Sequence, residues 1–455
     1  MADDALTKLT ATEAMDEIAR GTVSIEEYCR ACVDRIEGMD ADIRAFARFD
    51  REHALSQARA LQERRAERRS MGPLFGIPVA IKDIYDTADY PTEWGSPIGA
   101  GRRCRKDAAA VAKLRAAGAI IVGKSVTTEF AYYNPGPTRN PHDLTRTPGG
   151  SSSGSAAAVA ANMVPLAIGS QTNGSVIRPA AFCGVFAVKP SYGLISRAGA
   201  LMLSRQLDHV GAFSRSLADL ALILDVMVGH DPDDPDTELF AAADFRAVQR
   251  EAPPLPPRFA FVRTPVWDKA DAEAKAAFAE LTETLGSAVE VIDLPASWAE
   301  AWEVHRTIMA VDMAHNLAAI VARGSVSETL QKVLEHGSKV SATTYLAALD
   351  QARRYAAGFQ EIFNAFDAII TPPAAGVAPK GLSSTGDAAF CTLWTLTGLP
   401  ALTLPLLVGT NGLPIGVQLI GARGRDARLL RSATALVAML SQTEQNKKSA
   451  ARVSL

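Results

Sequence analysis

Two clusters of small hydroxylated residues, GGSSSGS at Gly149 to Ser155 and GSQTNGS at Gly169 to Ser175, fall in one stretch between Pro148 and Pro179. A serine hydroxyl is a weak nucleophile until a base takes its proton. A candidate base is Lys82, where the apolar run Ile77 to Ile81 ends in a lysine. A neutral lysine takes such a proton directly or through a second serine, because a hydroxyl both donates and accepts. Thr172, Asn173 and Gly174 are small or turn-forming residues just ahead of Ser175. Their N–H groups are then free to converge on a developing oxyanion. Arg178 follows three residues later, within reach of a substrate carboxylate that a guanidinium would clamp through paired hydrogen bonds. This set of residue types points to acyl transfer through serine.

Each of these residues also has a structural reading. Lys82 sits where a strand would end, so it either reaches water over a half-buried stem or is desolvated into a neutral base. Arg178 is either a ligand clamp or one half of an internal ion pair, and Asn173-Gly174 alone would suit a tight turn. A glycine and serine run is ordinarily a linker. Here it leads into Ala156 to Ile168, apolar nearly all round, which predicts a buried helix between the two clusters and therefore a site.

Three further motifs invite other chemistry. Gly118-x-x-x-x-Gly123-Lys124-Ser125 matches the phosphate loop, but the intervening residues Ala119, Ile120, Ile121 and Val122 read as a strand after a helix and not as a loop. Gly150-x-Ser152-x-Gly154 matches a nucleophile elbow, yet the preceding Asn140 to Pro148 is a proline-bracketed loop where a strand is required. Cys29-x-x-Cys32 lies on one face with Ile25, Tyr28 and Ile36, so it reads as two buried thiols. Asp208-His209 is adjacent in sequence only, which does not make a triad. With no H-E-x-x-H and no dinucleotide turn, the sequence predicts neither metal nor cofactor.

The elements that must hold these residues alternate between strand and helix. Capping boxes at Thr10-x-x-Glu13 and Ser24-x-x-Glu27 start N-terminal helices. Apolar strand signals follow at Val79 to Ile81, Ala119 to Gly123, Phe259 to Val262, Val289 to Ile292, Ala368 to Thr371, Leu402 to Leu406 and Pro414 to Gly421. The predicted class is α/β, one large mixed sheet covered by helices on both faces. The acid-rich HDPDDPDT at His230 to Thr237 reads as a surface loop. In 455 residues, 48% are hydrophobic and 21% charged, and the formal charge of −3 gives no footprint for nucleic acid. No apolar run approaches a membrane span, and the acidic start MADDALTKLTATEAMDEIAR predicts no secretory signal and a cytoplasmic location.

GGSSSGSAAAVAA followed by GSQTNGSVIRPAAFCGVFAVKPS resembles the amidase signature family, and is similar in particular to its malonamidase-like branch. GPLFGIPVAIKDIYDT, GAIIVGKSVTTEFA, STGD, LWTLTGLPALTLP and LPIGVQLIG extend the resemblance in order along the chain. It implies a catalytic Lys82, a relay Ser151, an acylated Ser175, oxyanion amides within Thr172, Asn173, Gly174 and Ser175, and a supporting hydroxyl at Ser153. In malonamidase-like members the arginine at Arg178 holds a substrate carboxylate. The implied organisation is one amidase signature domain over 1–455: N-terminal helices at 5–70, the catalytic core at 71–230, a mainly helical segment at 231–364 and the rest of the core sheet at 365–440. The implied activity is cofactor-free hydrolysis of a small, malonamate-like amide by a homodimer. The alternatives are the glutaminase subunit of a transamidosome or a hydrolase of another small amide or urea derivative. Two positions depart from the usual Asp-Thr-Gly-Gly-Ser: Gln171 removes a charge, and Asn173 puts a side chain where glycine is common.

Overall fold

The computed structural model describes residues 3–67, 71–237 and 243–453. In chain order its strands are β1 (Phe46–Phe49), β2 (Pro78–Lys82), β3 (Ile120–Ser125), β4 (Leu166–Gln171), β5 (Phe186–Lys189), β6 (His209–Ser214), β7 (Phe259–Arg263), β8 (Val289–Asp293), β9 (Ala368–Thr371), β10 (Ala401–Val408) and β11 (Pro414–Ile420). All 11 join one sheet in the order β1-β3-β2-β4-β6-β5-β10-β11-β9-β7-β8. The sheet is mixed: β2 runs parallel to both β3 and β4, whereas β4 is antiparallel to β6. Every residue of β2, β3, β4 and β6 is buried, so these central strands carry apolar residues on both faces and are covered by helices on both.

The capping boxes form as the sequence predicts. Thr10 and Glu13 satisfy each other's backbone N–H at the start of helix Ala11–Arg20, and Ser24 and Glu27 do the same for helix Ile25–Ile43. Cys29 and Cys32 are unbridged and buried, and burial pushes the Cys32 thiol up to about 12. The strand signals at 259 and 289 become β7 and β8 at the far end of the sheet, after which helices Ala301–Val321, Glu328–Lys339 and Ala342–Gly358 follow.

One local expectation is corrected. The apolar run between the serine clusters is not one helix: helix Ser153–Ala160 ends, Asn162 turns at φ 57, and β4 begins at Leu166. Asparagine tolerates that left-handed turn, and Pro165 cannot extend a helix. The second cluster therefore opens inside a strand, with Thr172 to Ser175 leaving its end. HDPDDPDT is a surface loop as the sequence predicts, anchored by buried Asp234, which pairs with Arg197 at 2.9 Å.

Candidate active site

The parallel pairing of β2 and β4 brings their C-terminal ends to the same edge, the usual place for a site in such a sheet. Ile81 lies beside Ile168, so Lys82 reaches the level of Ser170. The Lys82 amine is fully buried and donates to Ser151 Oγ at 2.6 Å and to Ser170 Oγ at 2.8 Å. No carboxylate pairs with it among the described residues. Burial holds its pKa well below the usual lysine range, while the nearby charge of Asp208 works in the opposite direction. Of the two readings of Lys82, the structure takes the desolvated one.

Ser151 and Ser175 line a common pocket with Thr172, Asn173, Gly174, Arg178, Tyr132 and Tyr133. The Ser175 hydroxyl has no hydrogen-bond partner among the described residues. The N–H groups of Asn173, Gly174 and Ser175 likewise have no protein acceptor there, so they are available to an incoming oxyanion. Gly174 sits in a close approach: a Cβ at this position would lie 3.1 Å from Cys391 Cβ and 3.2 Å from Ala388 Cβ, so those side chains would have to give by a few tenths of an ångström. The loop is anchored at its start by Thr172, whose hydroxyl donates to Asp208 Oδ1 at 2.6 Å and whose carbonyl accepts from His305 Nε2 at 2.9 Å. Burial raises Asp208 to about 6.

The two departures from the common pattern have defined partners. Gln171 Oε1 accepts from Val176 N at 2.8 Å and Ile177 N at 2.9 Å, and its Nε2 donates to Thr395 Oγ1 at 3.0 Å. A neutral oxygen thus caps the turn that carries Ser175. Asn173 Nδ2 donates to the Tyr133 hydroxyl at 3.0 Å, and its Oδ1 accepts from Thr392 Oγ1 at 2.8 Å.

Arg178 is 1% exposed and makes no ion pair among the described residues. One nitrogen, Nη2, donates to Gly150 O at 2.7 Å and Thr385 Oγ1 at 3.1 Å, while Nε and Nη1 have no partner. The internal ion pair is thereby set aside: a buried guanidinium with unmet donors lines the pocket. Ser153 is not part of this cluster, since its hydroxyl faces Val126 O at 3.4 Å and Thr138 Oγ1 at 3.5 Å. The second hydroxyl on Lys82 belongs to Ser170, a member of the second serine cluster that nothing in the sequence sets apart from its neighbours. Tyr133, Asp208, His305 and Thr385 also escape a reading of the sequence, because their approach to the site depends on tertiary folding.

The competing motifs are structural. Ser152 Oγ donates to Ser170 O at 3.2 Å and accepts from Ser170 N at 3.2 Å, which ties the loop to β4. Lys124 is buried at the end of β3, donating to Tyr85 O at 2.8 Å and Thr92 Oγ1 at 2.7 Å beside Asp83 at 3.2 Å. His209 Nδ1 is engaged by its neighbour's carbonyl, Leu207 O, at 2.6 Å. Among the described residues no group of three or more His, Cys, Asp or Glu side chains is arranged to hold a metal ion, and no helix is long and apolar enough to cross a membrane.

Residues 27–430 match the family described as Amidase. The chain belongs to this family. It is 35% identical over 469 residues to a glutamyl-tRNA(Gln) amidotransferase subunit from Chloroflexus aurantiacus, covering 93% of this chain and 95% of that protein. The corresponding subunit from Moorella thermoacetica is 34% identical, covering 94% of this chain and 96% of that protein. Among solved structures, a vestigial protein complex bearing on the origins of an s-triazine catabolic enzyme superposes with a TM-score of 0.88 at 31% identity, covering 94% of this chain and 98% of that one. 6-Aminohexanoate cyclic dimer hydrolase bound to substrate gives 0.85 at 27% identity, covering 96% and 97%. This family member is accordingly an amide-cleaving hydrolase built on the amidase signature fold.

Proposed function

We propose that the chain hydrolyses a small amide bearing a free carboxylate through an acyl-serine intermediate, with Ser175 as nucleophile, Ser151 as relay and Lys82 as base. The observation that carries this is the 2.6 Å contact from a fully buried Lys82 to Ser151, in a pocket that Ser175 shares. Ser175 Oγ attacks the amide carbonyl carbon while its proton moves to Ser151 Oγ, whose own proton moves to neutral Lys82 Nζ. The carbonyl oxygen becomes an oxyanion held by N–H groups of the 172–175 loop. Collapse breaks the C–N bond as the proton returns to the leaving nitrogen, releasing ammonia or an amine. Water then attacks the acyl-serine by the same relay and frees the acid. Ser153 keeps only a structural part in this reading, at the start of its helix.

The unpaired Arg178 donors are what suggest a carboxylate on the substrate. Among such amides, the amidotransferase relatives favour the side-chain amide of glutamine over malonamate. Gln171 does not oppose that reading, since its neutral oxygen still caps both N–H groups. Those relatives are named as one subunit of an amidotransferase, which favours a larger assembly over the homodimer implied by family resemblance. We infer a single amidase signature unit of residues 1–455, because β1 to β11 share one sheet.

The test is ammonia release from glutamine, malonamate and neutral amides, with Ser175→Ala expected to lower turnover by at least about 10³-fold. Turnover that survives this substitution would sink the mechanism. Light-scattering mass measurement, alone and with candidate partner subunits, separates the homodimer from the assembly.

A further inference from the structure

The pocket holds a second donor beside Arg178 that the reaction so far leaves unused. Thr392 Oγ1 donates to Asn173 Oδ1 at 2.8 Å, which fixes the amide so that its NH2 faces Tyr133. Asn173 Nδ2 then donates to the Tyr133 oxygen at 3.0 Å. The phenol oxygen is used as an acceptor, and its own proton has no acceptor among the described residues. Tyr133 lines the same pocket as Arg178 and lies near enough for the guanidinium to act on its titration. Burial outweighs that effect and raises the phenol above its ordinary range, so the proton stays in place at neutral pH. Three donors therefore lack a protein acceptor on two side chains that line one pocket: the phenol O–H, Arg178 Nε and Arg178 Nη1. Buried donors left unmet are costly, and a planar carboxylate supplies the acceptors they lack.

We propose that Tyr133 and Arg178 form a two-armed clamp for the substrate carboxylate, with Asn173 as the positioning residue that turns the phenol proton toward the ligand. This rests on the reading above that Arg178 faces a substrate carboxylate. It assigns the side chain at 173, where glycine is common in the family, a role in choosing carboxylate-bearing amides over neutral ones. A neutral amide would leave all three donors unmet.

The experiment compares kcat and KM for glutamine and malonamate with those for propionamide, in the full chain and in Tyr133→Phe, Asn173→Ala and Arg178→Gln, each checked by thermal melting. Tyr133→Phe is expected to raise KM for the better carboxylate-bearing amide roughly 10- to 100-fold, the range of a charge-assisted hydrogen bond. The preference, read as the ratio of kcat/KM for that amide to kcat/KM for propionamide, should fall by a similar factor. Asn173→Ala keeps its backbone N–H and should raise the same KM by a smaller factor. An unchanged preference in Tyr133→Phe, alongside a collapsed preference in Arg178→Gln, overturns the clamp and leaves the carboxylate reading intact. A wild-type chain with no preference for carboxylate-bearing amides overturns that reading and the clamp with it.

Discussion

Two lysines end adjacent parallel strands, Lys82 on β2 and Lys124 one residue before the end of β3, and both are fully buried. Lys124 is surrounded by a carboxylate and carbonyl oxygens, with Asp83 at 3.2 Å and Tyr85 O at 2.8 Å. Lys82 meets two hydroxyls and no acid. Burial lowers both amines, but at Lys124 the Asp83 charge and hydrogen bond oppose it directly, whereas at Lys82 only the more distant Asp208 does. Burial alone does not make a base. The difference lies in the partners: an anion keeps a buried ammonium charged and structural, while hydroxyls leave it free to be neutral and to exchange protons.

Lys82→Met gives the largest effect that this contrast predicts. Amide turnover should fall by about 10³-fold or more, measured as ammonia release, because the relay then ends in a thioether. Its stability should change little or rise. The folded pKa of Lys82 lies below its unfolded value, so between the two values the unfolded chain binds more protons and stability increases with pH. At neutral pH that linkage works against the native state, and methionine removes it. Lys124→Met should do the reverse, destabilising by roughly 3–5 kcal/mol in denaturant titrations because Asp83 is left buried without its cation. Turnover per folded molecule should stay within about tenfold. Equal loss of turnover in both variants would erase the distinction between the two amines.

The smallest effect sharpens the comparison. Activity should fall on acidification as Lys82 takes a proton, since only the neutral amine accepts one. Asp208 works to raise the Lys82 pKa, so Asp208→Asn should move the acid limb of the pH–rate profile to lower pH. A limb that stays in place, or moves upward, would mean that the carboxylate does not act on this amine.

Much of the reacting set was legible because it is local. Lys82 closes an apolar run, and the two serine clusters flank a small-residue segment. The run between them misled because periodicity cannot separate a buried helix from a buried strand, and the signals that divide it are only Asn162 and Pro165. Arg178 could be placed near the site from its spacing but not freed of an ion pair, because acids are numerous in the chain and only the fold shows that none reaches it. Tyr133, Asp208 and His305 carry no motif. They lie some 40, 36 and 133 residues from the loop positions they touch, Asn173 for the first and Thr172 for the others, so no spacing rule could pair them.

The loop that carries Ser175 is braced by a part of the chain more than 200 positions downstream. Thr392 and Thr395 hold Asn173 and Gln171, with sequence separations of 219 and 224 residues. Their helix, Ala389–Leu396, leads into β10, which pairs with β5 just beyond the helix after Ser175. A nascent chain emerging from the ribosome therefore has Ser175 long before it has the buttress behind it. The loop can take its final shape only once Thr392 and Thr395 have been made and packed against it.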